Sequence, residues 1–130
     1  DGDLSDYDMI VLPGGMPGSA HLRDNQALIQ ELQNFEQEGK KLAAICAAPI
    51  ALNQAGLLKN KQYTCYDGVQ EQILDGQYVK ETVVVDGHLT TSRGPSTALA
   101  FAYELVDQLG GDAESLRTGM LYRDVFGKNQ

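Results

Sequence analysis

The stretch Lys41-Leu42-Ala43-Ala44-Ile45-Cys46-Ala47-Ala48-Pro49-Ile50-Ala51-Leu52 decides the fold. Its first five residues make a short apolar run fit for a buried strand. Pro49 then opens a helix-forming stretch, where its missing amide hydrogen costs little. Cys46 therefore stands at a strand-to-helix junction. There it meets unpaired helix N–H groups and the positive end of a helix dipole, which both favour thiolate over thiol. A small buried hydrophobe is the other reading of such a cysteine. Position alone leaves both readings open.

Upstream, Tyr7-Asp8-Met9-Ile10-Val11-Leu12 predicts a strand running into the sharp turn Pro13-Gly14-Gly15, with Met16-Pro17-Gly18-Ser19 prolonging the loop. Asp24 or Asn25 can cap a helix whose apolar positions Leu28, Leu32 and Phe35 recur at spacings of four and three, ending at Gly39. Downstream of the cysteine, the helix from Ala48 to Ala55 stops at Gly56, and Tyr63-Thr64-Cys65-Tyr66 predicts the end of a short strand. Asp86-Gly87, flanked by Val83-Val84-Val85 and His88-Leu89-Thr90-Thr91, is a strong hairpin signal. Gly94-Pro95 begins a helix with Leu99, Ala102, Leu105, Val106 and Leu109 on its predicted apolar stripe, and a short helix is expected around Ala113–Leu116.

Strands alternating with helices indicate an α/β fold around a mostly parallel sheet. In such sheets ligands bind beyond the carboxyl ends of the strands. Gly14-Gly15, Cys46 and Ser92-Arg93-Gly94 all fall there. That convergence favours the reactive reading of Cys46.

With 130 residues the chain is one domain, and 42% hydrophobic with 22% charged residues is ordinary for a soluble globular protein. The sequence shows neither a membrane-length apolar stretch nor a signal-peptide pattern. A formal charge of −8 argues against a nucleic-acid partner, which clustered Lys and Arg would have to hold. Two cysteines make no disulfide framework, so a cytoplasmic setting is expected. Asp1-Gly2-Asp3-Leu4-Ser5-Asp6 predicts a surface loop leading directly into the first strand.

A thiolate at this junction can attack an aldehyde or amide carbonyl carbon. The backbone N–H groups of Ala47 and Gly15 are the natural donors to the resulting oxyanion, although Pro13-Gly14-Gly15 equally fits a plain turn. Arg93 precedes a helix and could hold a carboxylate or phosphate, or be a solvated charge. His21, in the first loop or early helix, and His88, just past the hairpin turn, are each expected to be surface histidines in preference to a catalytic partner. Cys65 is a packed thiol by default and, should its strand end at the same edge, a redox partner for Cys46. No metal or cofactor is called for.

Together these motifs resemble the ThiJ/PfpI superfamily, the DJ-one-like group. The matching segments are Val11-Leu12-Pro13-Gly14-Gly15, Ala43-Ala44-Ile45-Cys46-Ala47-Ala48-Pro49 and Thr91-Ser92-Arg93-Gly94-Pro95. The resemblance implies a flavodoxin-like (class I glutamine amidotransferase-like) three-layer α/β sandwich, a strained nucleophile elbow and a homodimer. It assigns Cys46 as the reactive cysteine and Gly15 with Ala47 as oxyanion donors. Gly14, Arg93 and Gly94 are expected to line the substrate or anion site. Ala47 stands where the protease-like branch has a histidine, and Cys65 stands where the DJ-one branch often has one.

The family begins with further strand–helix units, the first of which supplies a glutamate that hydrogen-bonds to the cysteine. Residues 1–130 are thus expected to form a single ThiJ/PfpI-type domain, N-terminally incomplete, matching the C-terminal two-thirds of the family domain. The implied function is a cofactor-independent, glyoxalase III or deglycase-like enzyme acting on reactive aldehydes or glycated groups. The alternatives are an oxidative-stress sensor or redox-responsive chaperone, or another small-molecule hydrolase or hydratase, including members with a thiazole-monophosphate-biosynthesis label. An amidotransferase would need a His-x-Glu triplet after Cys46, which is absent.

Overall fold

The computed structural model describes residues 8–15 and 18–110. Tyr7, the Asp1–Asp6 loop, Met16-Pro17 and the helix expected at Ala113–Leu116 lie outside the described residues. The order of elements is β1 (Met9–Leu12), α1 (Gly18–Asp24), α2 (Gln26–Gln37), β2 (Lys41–Ile45), α3 (Pro49–Gln54), β3 (Gln62–Tyr63), β4 (Gln77–Tyr78), β5 (Val83–Asp86), β6 (Leu89–Ser92) and α4 (Ala98–Gln108). Short 3-10 turns occupy Val69–Gln72 and Pro95–Thr97.

The main sheet runs β1-β2-β6-β5, parallel at its first two junctions and antiparallel within the β5–β6 hairpin. Strand period two makes it the middle of three layers. Leu42 and Ala44 of β2 join Ile10, Leu12 and Leu89 in a core capped by Ile29, Leu32 and Phe35 of α2 and Ile50, Ala51 and Leu52 of α3. Ala43 and Ile45 point the other way, into a second cluster with Phe101 and Leu105 of α4, Met9 and Val83. Leu32 and Phe35 are essentially fully buried, and each such side chain stabilises the fold by roughly 1.5–3 kcal/mol. Helix α2 starts where Asn25 accepts the Leu28 N–H through its side chain at 3.1 Å, a cap worth about 1 kcal/mol.

Three expectations need correction. Gly18 and Ser19 are not loop but the first turn of α1, which packs on α3; docking overrides their weak helix propensity. The strand at Tyr63 spans only Gln62–Tyr63 and pairs in parallel with β4 in a separate two-stranded sheet. Thr64 leaves that ladder because its N–H donates to Thr91 Oγ1 at 2.8 Å. Helix α4 buries Ala100, Phe101, Tyr103 and Leu105, whereas Leu99 and Leu109 are 37% and 55% exposed. Its phase follows the bulk of Phe101 and Tyr103, which the aliphatic spacing ignored. Among the described residues no helix is long and apolar enough to cross a membrane.

Candidate functional site

Strand β2 ends at Ile45, and the next residue turns the chain sharply. Cys46 has φ 65°, in the left-handed region, a conformation costing a non-glycine residue about 1–3 kcal/mol. Neighbours on both sides hold it there. Its N–H donates to the Ser92 carbonyl at 3.0 Å, and its carbonyl accepts the Tyr66 N–H at 2.9 Å. Ala48 N–H then closes the turn on Ile45 O at 3.1 Å, and α3 begins at Pro49. The thiol is free and half-buried.

The glycine turn after β1 lies directly against this elbow. A Cβ built on Gly14 would stand 2.4 Å from Cys46 Cβ, 2.8 Å from Ile45 O and 3.3 Å from the sulfur. Only glycine permits that approach. Gly15 follows at φ 101°, and its carbonyl accepts the Ser19 N–H at 2.8 Å. Neither the Gly15 N–H nor the Ala47 N–H meets an acceptor among the described residues. Backbone donors left open beside a nucleophile can stabilise charge developing on an oxygen.

The Arg93 loop reaches the same edge. The Thr97 hydroxyl accepts from Gly94 N at 3.0 Å and from Arg93 N at 3.3 Å, which ties the loop to the start of α4. The guanidinium is engaged within the chain. Nη1 donates to Thr64 Oγ1 at 3.3 Å and to the Tyr78 hydroxyl, and Nη2 donates to Asp67 Oδ1. The Tyr78 hydrogen bond, followed by the Asp67 carboxylate, raises the Arg93 pKa further above its already high value. A shallow pocket of about 210 Å³ lies beside it, lined by Tyr66, Asp67, Arg93, Gly94, Pro95, Ser96 and Thr97.

Cys65 is close by in the chain but differs in character. It is fully buried, belongs to the core behind the sheet, and meets Gln70 through that residue's backbone and through Oε1 at 3.9 Å. Burial pushes its thiol up to about 11. His88 sits at the opposite end of the sheet, its carbonyl accepting Leu42 N–H at 2.9 Å, and His21 is exposed on α1. A larger cavity of about 510 Å³, bordered by Lys61, Gln62, Gly76 and Asp86, belongs to the small sheet and does not include Cys46.

The structure thus brings together Gly14, Gly15, Cys46, Ala47, Arg93 and Gly94 at one sheet edge. It adds Thr64, Tyr66, Asp67, Tyr78 and Thr97, which sequence reasoning missed. The run Tyr63-Thr64-Cys65-Tyr66-Asp67 carried a usable signal, polar and aromatic residues ending a strand at that same edge. Among the described residues no group of three His, Cys, Asp or Glu side chains gathers as a metal ion would require.

A parallel-dominated sheet with a cysteine on a tight turn between strand and helix, faced by a glycine turn, defines a cysteine-elbow α/β domain. The chain belongs to the DJ-1/PfpI family, whose model matches residues 1–108. It is 42% identical over 108 residues to Protein DJ-1alpha of Drosophila melanogaster, covering 82% of this chain and 50% of that protein. It is 33% identical over 107 residues to the glutathione-independent glyoxalase DJR-1.2 of Caenorhabditis elegans, covering 81% and 56%. The crystal structure of Drosophila melanogaster DJ-1beta superposes with a TM-score of 0.86 at 37% identity, over 90% of this chain and 65% of that one. The chain spans about half the length of the two curated relatives.

Proposed function

We propose that Cys46 is the nucleophile of a cofactor-independent glyoxalase or deglycase-type enzyme acting on small reactive aldehydes or glycated groups. The observation that carries this reading is the elbow itself. A thiol held at φ 65° stands over Gly14 with the Gly15 and Ala47 amides unpartnered beside it. The similarity to a glutathione-independent glyoxalase supports the choice of reaction class.

On this reading the thiolate adds to the aldehyde carbon of methylglyoxal. The S–C bond forms as the C=O π bond opens, and the oxyanion rests on the two amides. The hydrogen on that carbon then leaves as a proton to a base, and the neighbouring carbon takes up a proton. The resulting thioester is hydrolysed, releasing a hydroxy acid and restoring the thiol. The base is assigned, from the family resemblance, to a glutamate on an upstream strand–helix unit, since Cys46 Sγ makes no side-chain hydrogen bond among the described residues. Arg93 and Gly94 border the entrance, and the protein works as a homodimer, which sedimentation at micromolar concentration would check. Lactate formation from methylglyoxal is expected to vanish in Cys46→Ser; undiminished turnover refutes the mechanism.

A second reading rests on the same half-exposed, unpaired thiol. In it, peroxide oxidises Cys46 to sulfinic acid and the protein reports oxidative stress without turning over aldehydes. Stoichiometric sulfinic acid at Cys46 by mass spectrometry, in a protein that yields no lactate, selects this alternative.

A further inference from the structure

We infer that Asp67 sets the charge specificity of this site, making it a site for neutral carbonyl substrates by neutralising Arg93 at the pocket wall. The inference rests on the glyoxalase reading for its substrate class, and on geometry for its charge logic. An unpaired arginine beside a nucleophile would draw carboxylates and phosphates, because its planar fork matches them. Here the fork is already occupied. Asp67 accepts from Nη2, and the Thr64 and Tyr78 oxygens accept from Nη1. The guanidinium also lies 5.7 Å from the centre of the Tyr78 ring. These contacts fix the cation so that it cannot swing toward a substrate without losing several bonds at once.

Asp67 and Arg93 both line the 210 Å³ pocket, so a ligand there meets a neutralised pair and not a lone cation. The Asp67 side chain is mostly exposed, whereas that of Arg93 is 16% exposed. The carboxylate therefore stands toward solvent, where an arriving anion meets it first. Lys80 lies 4.0 Å from the same carboxylate but is itself largely exposed, and such a pair contributes little in water. Tyr66 joins this wall to the nucleophile. Its N–H binds the Cys46 carbonyl, and its ring lies 3.3 Å from where a Gly94 Cβ would stand. Cys46 does not itself line this pocket; the elbow adjoins it through Tyr66 and through Ser92, whose carbonyl accepts the Cys46 N–H one residue before Arg93. Neutral carbonyl oxygens can use the remaining arginine hydrogens. An anionic substrate must instead displace Asp67 or approach it, and both are opposed.

Two measurements in the full-length protein test this. The first compares kcat/KM for methylglyoxal with that for 4,5-dioxopentanoate, a ketoaldehyde bearing a carboxylate. Wild type is expected to favour the neutral compound. Asp67→Asn, which keeps an acceptor for Arg93 but removes the charge, is expected to shift the ratio toward the anion by about fivefold or more at low salt, less at high salt. The second measures alkylation of Cys46 by iodoacetate against iodoacetamide, each normalised to free cysteine, with the modified peptide identified by mass spectrometry. It needs no turnover, so it reads the charge of the site even if the glyoxalase reading fails. The same shift is expected there, and Asp67→Ser provides a second variant. A ratio within about twofold of wild type in the alkylation assay for both variants overturns the inference. Absence of lactate from wild type, with the alkylation shift present, overturns only the enzyme reading.

Discussion

Two thiols in this molecule are joined through a single backbone hydrogen bond, from Tyr66 N–H to the Cys46 carbonyl, yet they occupy opposite physical regimes. Cys46 sits on a left-handed turn, half-exposed, pressed against a glycine. Cys65 lies in ordinary surroundings, wholly buried among core residues, with its ionisation pushed up to about 11. The difference teaches that two cysteines this close can differ wholly in backbone conformation and in access to solvent, the two features on which thiol reactivity depends.

The largest effect should come from removing the glycine that lets the elbow close. Gly14→Ala places a methyl group inside backbone and Cβ contact distance of Cys46. A loss of about 3 kcal/mol in denaturant unfolding is expected, because neither partner is a flexible side-chain end. A cost below about 1 kcal/mol would mean that the turn and the elbow separate readily.

Next comes the contrast itself. In native protein at pH 8, iodoacetamide should modify Cys46 at least about a hundredfold faster than Cys65, which reacts only when the core opens. Equal rates, read peptide by peptide, would erase the distinction.

The alkaline limb of stability offers a third check. Burial raises the Cys65 pKa from 9.0 to about 11, so above pH 9 the unfolded chain releases a proton that the folded one retains. Stability therefore falls as pH rises from about 9 to about 11. Cys65→Ala should flatten that fall in urea titrations, leaving the part due to Tyr63, which burial pushes up to about 12. An unchanged slope would remove Cys65 from the account.

The smallest effect concerns backbone alone. Cys46→Gly should be more stable than Cys46→Ala by about 1 kcal/mol, since glycine adopts φ 65° without strain. The reverse order would show that the turn is not strained.

Much of this contrast was legible in the chain. Apolar runs at Met9–Leu12 and Lys41–Ile45, the Asp86-Gly87 turn and the Leu28, Leu32, Phe35 spacing are local patterns, and each marked its element. Cys46 with Pro49 after it marked the junction. Helix α1 was missed because Gly18-Ser19 has weak propensity and gains its helix only by packing on α3. The Arg93 network was missed for a different reason. Thr64, Asp67 and Tyr78 meet the guanidinium only after the small parallel sheet of β3 and β4 has formed. No local spacing encodes that pairing.

The anchor that holds the Cys46 turn also has a meaning in time. The Cys46 N–H is anchored on the Ser92 carbonyl, and Ser92 is synthesised long after Cys46. A nascent or prematurely terminated chain that stops short of β6 carries the cysteine without the anchor that shapes its turn. Such long-range pairing is the slow part of assembling a parallel sheet. The geometry of the Cys46 turn is therefore withheld until the sheet is nearly complete.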